Sequence, residues 1–235
     1  MMKRFHLACL GVLLTLPGFA CADSSIEYST SRGGRLYDKW FKEADRPSPK
    51  AANPAYPDTG KYKGKKASDW RCKECHGWDY KGRDGIYAKG KHFTGVAGVL
   101  GSDAADHMQR ILRDANHGYG EAMLDEHDAR DLANFLRHGV IDMAPYIDST
   151  SGDPVDADAA RGQVYYETVC ANCHGLDGKA EDTAPPLGKV ARSNPWEVLH
   201  KIVNGQPGAE MPSMRAFDMQ VSLDLVKYLR TLPAE

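Results

Sequence analysis

Two pentapeptides, CKECH at residues 72–76 and CANCH at residues 170–174, constrain this chain more than anything else in it. The 235 residues hold six cysteines. The first stretch has Lys3 and Arg4, an apolar run from Leu7 to Leu16 and Ala20-Cys21-Ala22 before Asp23. That order is expected of a cleaved secretory signal over residues 1–22, and the run is shorter than the roughly 20 apolar residues of a membrane span. Acylation at Cys21 would want a more aliphatic approach than GFAC. Removing the signal takes Cys9 and Cys21, which leaves 6 − 2 = 4 cysteines, every one in a CxxCH. No thiol then remains for a structural disulfide, and the expected product is a periplasmic protein that is not an integral membrane protein. A net charge of −2 argues against a nucleic-acid binder.

CxxCH is the attachment signature of c-type haem. Cysteines three apart on a helical turn face one side, where both can bond to the two vinyl groups of one porphyrin, and the histidine that follows puts an imidazole nitrogen beneath the iron. Cys72 and Cys75 are therefore assigned to one haem and Cys170 and Cys173 to a second, with His76 and His174 as proximal ligands. The rivals fit less well. Paired zinc knuckles usually lie about 15–20 residues apart, whereas these motifs are 170 − 72 = 98 residues apart. A redox dithiol would want a βαβ setting, and disulfides would not explain a histidine after each second cysteine.

What surrounds the motifs also repeats. CHGWDYKGRDG answers CHGLDGKAED, DLANFLRHG at Asp131 answers DLVKYLRTL at Asp224, and Gly64 and Gly162 each sit eight residues before a first cysteine. Asp158 is placed to cap a helix running into the second motif, and Asn194-Pro195 to cap and open another that presents Trp196, Leu199, Ile202 and Val203 and stops at Gly205. A last helix from about Gln220 presents Val221, Leu225, Tyr228 and Leu229. DAADHMQRILRDAN and DEHDARDLANFLRHG are their counterparts in the first unit, and no segment alternates as a strand would. The expected fold is all-α with long loops. Residues 23–66 read as an N-terminal arm pinned by Tyr37, Trp40 and Phe41, with residues 67–141 a first unit, 142–157 an acidic linker and 158–235 a second unit. Charge is uneven: residues 35–74 hold 11 Lys/Arg against 6 Asp/Glu, while residues 142–160 hold five Asp and no basic residue.

On these motifs the chain resembles the class I cytochromes c, in a form with two tandem domains and two haems. The second unit carries the fuller set: GQVYY entering CANCHG, then PPLG, GAEMPSM and a closing DLVKYLRTLP. The resemblance implies a proximal-side support at Pro186, a sixth iron ligand at Met211 and a helix crossing through Gly162 and Tyr228. Met214 is the alternative to Met211. The first unit departs from this pattern, with KHFTG where the second has PPLG, so that His92 stands near the missing proline. His92 is expected to pack beside the proximal side or to hold a haem propionate. Met123, in GYGEAMLDE, is its expected sixth ligand and His117 the rival; Met108 is read as core and His200 as a surface residue of its helix.

An iron held by histidine and methionine has no open position, and methionine raises its potential. The function implied is a periplasmic diheme electron carrier between donor and acceptor redox proteins, not an enzyme. Two alternatives stand beside it. One is a diheme oxidoreductase acting on thiosulfate or peroxide at a first haem with a displaceable ligand. The other is the cytochrome subunit of a larger dehydrogenase or reductase complex. The basic stretch from Arg35 to Lys73 is a candidate steering surface for an acidic partner.

Overall fold

A computed structural model describes residues 24–180 and 185–235, so the expected signal segment lies outside the described residues. These residues are helical, with only two isolated bridges, Gly82 to Ala97 and Ile147 to Pro154, and no strand among them. None of their helices is long and apolar enough to cross a membrane.

Helix α1 (Ser24–Glu43) fills much of the stretch expected to be an arm. Its turns bury Leu36, Tyr37, Trp40 and Phe41, and the backbone kinks at Lys39, whose φ of −155° and ψ of 74° break the helical pattern. Two adjacent glycines let neighbours approach from two sides. On one, α1 crosses α4 (Glu126–Asn134), where a Cβ added to Gly33 would lie 2.0 Å from the Asp131 carbonyl oxygen. On the other it meets α8 (Pro195–Asn204), where a Cβ on Gly34 would lie 2.4 Å from Asn204 Cγ. Arg32 reaches Asp128 and Asp131 of α4, both at 2.6 Å, which fixes the crossing electrostatically.

The chain leaves α1 for a long loop and returns to the first motif, α2 (Cys72–His76). Side chains of α1 dock that return: Trp40 Nε1 donates to the Trp70 carbonyl at 3.0 Å, and Arg71 donates to the Asp38 carbonyl at 2.7 Å and pairs with the Asp38 carboxylate. Burial alone would raise the Asp38 carboxyl, but Lys201 and Arg71 beside it hold it well below the usual carboxylate range. A single turn leads into α3 (Met108–Arg113), and α4 follows behind a reciprocal cap between Asp125 and Asp128 and ends in a π-helical turn over Phe135–Gly139.

The later residues are built without the detour. Helix α5 (Ala159–Tyr165), capped by Asp158 as expected, runs through a π-helical turn at Tyr166–Cys170 directly into α6 (Ala171–His174), the second motif. After α7 (Leu187–Ser193), Asn194 accepts from the Glu197 N–H to cap α8, which stops at Gly205 with φ +90°. The closing helix α9 (Met219–Leu229) crosses α5 at Gly162, where an added Cβ would lie 2.0 Å from the Asp224 carbonyl oxygen and 2.8 Å from Tyr228 Cβ. Met108 is core, as expected.

Two expectations are corrected by this packing. The counterpart of Gly162 is Gly33 and not Gly64, which turns at φ +71° with nothing near its absent Cβ. His200 is not a surface residue: it is fully buried on α8, with Nδ1 2.7 Å from Tyr80 Oη and Nε2 3.0 Å from the Gly34 carbonyl. Helix α1 covers the side of α8 that a lone amphipathic helix would leave to water.

Candidate functional site

Each CxxCH lies on a short helix whose end is clamped by a tyrosine from the preceding helix. Tyr37 Oη donates to the carbonyl of Gly77, the residue after His76, at 2.6 Å, and Tyr166 Oη donates to Gly175, the residue after His174, at 2.6 Å. Both glycines take positive φ, +81° and +73°, and turn the chain sharply once the histidine is placed. These tyrosines belong to a repeat that a count from the cysteines hides. Arg32-Gly33 with Tyr37 and Arg161-Gly162 with Tyr166 share one spacing, offset by 161 − 32 = 129 residues, while the motifs are offset by 98, so the earlier copy carries 129 − 98 = 31 extra residues. The arginines match too, since Arg161 Nε donates to Asp224 at 2.7 Å as Arg32 donates to Asp131.

The imidazole of the first motif is oriented from outside it. His76 Nδ1 lies 2.7 Å from the Ala97 carbonyl oxygen, a role that the sequence left without a candidate once the proline was missing. A hydrogen bond at Nδ1 leaves Nε2 with the lone pair that a metal takes. Burial pushes His76 down to about 4, opposed by the Ala97 bond, so the ring is neutral at physiological pH, the form that ligates. Burial also lowers His174. The His117 and His76 ring centroids are 6.3 Å apart and their planes 15° from parallel.

The four cysteines of the motifs form no disulfide. Burial raises Cys72 to about 11, Cys75 to about 12 and Cys170 to about 11. The upward direction at Cys72, Cys75 and Cys170 is opposite to that of the low-pKa cysteines of redox dithiols. Among the described residues, no three His, Cys, Asp or Glu side chains converge as a zinc site would require. What fits this donor set is a planar group bonded at two sulfurs and one imidazole nitrogen per motif.

The other expected residues fall as follows. His92 sits beside the first motif, as expected, stacked on Tyr87 at 4.9 Å and 4.0 Å from Glu74. Pro186 is the N-cap residue of α7, and its carbonyl accepts from the Lys189 N–H at 3.0 Å. Met211 is half-buried on the loop after α8, while Met214 is buried and donates its N–H to the Ile202 carbonyl at 3.0 Å, which makes it core. Met123 is half-buried and packs against the apolar core.

Residues 157–229, which carry the second motif and helices α5 to α9, match the family described as cytochrome C oxidase, cbb3-type, subunit III. A curated relative, a cytochrome c-553-like protein of Synechocystis, is 31% identical over 90 residues, which are 37% of this chain and 80% of the relative. Helical motif, oriented imidazole and relatedness across most of that protein lead to one conclusion: the chain belongs to the c-type cytochromes, whose haem is bound covalently.

Proposed function

We propose that this chain is an exported diheme electron carrier built from one cytochrome fold used twice. Cys72 and Cys75 would hold one haem with His76 as its histidine ligand, and Cys170 and Cys173 would hold a second with His174. The first unit then begins at α1 and contains the 31-residue detour, instead of starting near residue 67 behind a separate arm. The observation that carries the reading is the duplicated frame: both glycine crossings put an added Cβ 2.0 Å from an aspartate carbonyl, and both tyrosine clamps close at 2.6 Å. Where the frame is duplicated around a duplicated attachment motif, the cofactor is duplicated with it. Met211 is the sixth ligand of the second haem, because Met214 is committed to the core.

Haem supplies a one-electron couple, and the protein sets its potential through ligands and burial. The chain's own part is positioning: Tyr37 and Tyr166 fix the turn after each proximal histidine, Ala97 fixes the His76 tautomer, and the aromatic core beneath excludes water. Partners are redox proteins on the donor and acceptor sides. Haem-to-chain stoichiometry with optical spectra tests the reading. Two haems per chain, with no carbon monoxide adduct in the ferrous protein, are expected. One haem per chain would end the diheme reading, and a stable adduct would move the function to small-substrate chemistry.

A further inference from the structure

We infer that His117, not Met123, is the sixth ligand of the iron held at the first motif. The inference rests on a haem being attached there, and three observations carry it. The first is distance. Two metal–imidazole bonds of about 2 Å each, with roughly 1 Å more from each nitrogen to its ring centre, put the centroids of a trans pair on the order of 6 Å apart. His76 and His117 stand 6.3 Å apart with planes 15° from parallel.

The second is tautomer. His117 Nδ1 lies 3.1 Å from Asp114 Oδ1, and His76 Nδ1 lies 2.7 Å from the Ala97 carbonyl. Both rings are thus held at Nδ1 by an acceptor, and each is left with Nε2 as its metal-binding nitrogen. A carboxylate behind a ligating histidine fixes the ring and raises its basicity.

The third is mounting. Asp114 Oδ1 also accepts from the N–H groups of Asn116 at 2.9 Å and His117 at 3.0 Å, so one carboxylate sets both the turn after α3 and the ring. Beyond Gly118, at φ +67°, Tyr119 is anchored by its N–H to the Leu112 carbonyl at 2.8 Å and by Oη to the Trp70 carbonyl at 2.7 Å, next to the motif. His117 is fixed on both sides, whereas Met123 packs against the core.

The two sites then differ in kind, imidazole at the first motif and thioether at the second. Methionine ligation raises a haem potential, so an iron held by two imidazoles at the first motif would have the lower potential of the two. The test uses the purified holoprotein, starting with haem stoichiometry and mass mapping of the attachment sites. The ferric protein should show a bis-imidazole signature in electron paramagnetic resonance and near-infrared magnetic circular dichroism, and a methionine-to-iron charge-transfer band from one haem of the two. Met211→Ala should remove that whole band, and Met123→Leu should leave it intact. His117→Ala should lose the bis-imidazole signature and bind carbon monoxide at one ferrous haem per chain. Should His117→Ala fail to fold, the two methionine variants still decide. A band halved by Met211→Ala and halved by Met123→Leu would overturn the inference while the two-haem reading stood. One haem mapped to Cys170 and Cys173 would overturn both; one mapped to Cys72 and Cys75 would end the two-haem reading, and the same spectra would still judge His117.

Discussion

Gly33 and Gly34 are neighbours in α1 that answer to different contacts. An added Cβ on Gly33 meets backbone, the Asp131 carbonyl oxygen at 2.0 Å, which cannot move without displacing α4. On Gly34 it meets the Asn204 side chain, at 2.4 Å to Cγ and 2.8 Å to Cβ, and the Cγ contact can be relieved by rotating that side chain. Alanine is favoured over glycine in a helix by about 1 kcal/mol, and overpacking costs roughly 1–3 kcal/mol. Gly33→Ala should therefore destabilise by up to about 2 kcal/mol, and Gly34→Ala by clearly less. Urea titrations of the two variants check the order; equal losses would mean that α8 is as unyielding as α4. His200 gives a pH prediction. Burial pushes its imidazole from 6.5 down to about 3, with Asp38 pulling the other way and Lys201 and Arg215 adding to the depression. Because the folded value is the lower one, the unfolded chain takes up the proton first as pH falls. Stability is complete above about 6.5 and is lost as pH drops toward about 3, by a few kcal/mol in all. His200→Gln should be less stable than wild type at about pH 7 yet lose less between about pH 7 and pH 4.5, measured by denaturant titration at both. Parallel losses in the two proteins would show that other groups set the slope.

At the scale of elements, two crossings share a design and differ in burial. Arg32 is 13% exposed and meets two aspartates that are each 2% exposed, whereas the Arg161 side chain is 51% exposed beside Asp224. Removing one partner of a buried pair leaves an uncompensated charge and costs about 3–5 kcal/mol. Arg32→Met should approach the lower end of that range, roughly 3 kcal/mol, and Arg161→Met should cost less, because Asp224 keeps the Asp158 N–H and the Gln220 amide as donors. Comparing their denaturant midpoints tests this; similar losses would contradict the difference in burial. The helices were largely legible from caps and apolar spacing: Asp158, Asn194-Pro195 and Gly205 mark real boundaries. What was not legible is what depends on partners. Gly64 was paired with Gly162 because counting back from the cysteines assumes that helix and motif are continuous, and the 31-residue detour breaks that assumption. Counting instead from the arginine-glycine pair to the tyrosine would have found Gly33. His200 was misplaced for a related reason, since the face of α8 it occupies becomes interior only when α1 lies across it. The two CxxCH motifs can be read without knowledge of partners, because the chemistry proposed for each is contained within five consecutive residues.

For the whole molecule, the question is where a partner meets it. The basic stretch read from sequence is thinned by folding: Arg35 pairs with Glu43, Arg71 with Asp38, Lys73 with Glu74 and Arg46 with Asp125. Lys42 and Lys50 stay exposed, Lys63 is exposed but paired with Asp58, and Lys61, Lys65 and Lys66 form an exposed group with Lys89 and Lys91 of a later loop. The fold gathers it, since the Lys61 N–H donates to the Lys91 carbonyl at 3.0 Å and joins two lysine-bearing loops. It also places the group beside the first motif, for His92 follows Lys91 and lies 4.0 Å from Glu74, and Thr94 Oγ1 donates to the Cys75 carbonyl at 3.2 Å. A positive surface next to the first motif suits an acidic redox protein as the partner that docks there. Steering of this kind raises association rates by about 10-fold or more and is screened beyond about 10 Å at 0.1 M ionic strength. Reduction by an acidic redox protein, followed by stopped flow, should slow by about 10-fold between roughly 0.01 M and 0.15 M salt. The triple variant Lys61→Glu, Lys65→Glu, Lys91→Glu should start near the slow limit and change little, with its spectra and potentials unaltered. A wild-type rate indifferent to salt would reduce these lysines to a solvated surface and leave the donor to dock elsewhere.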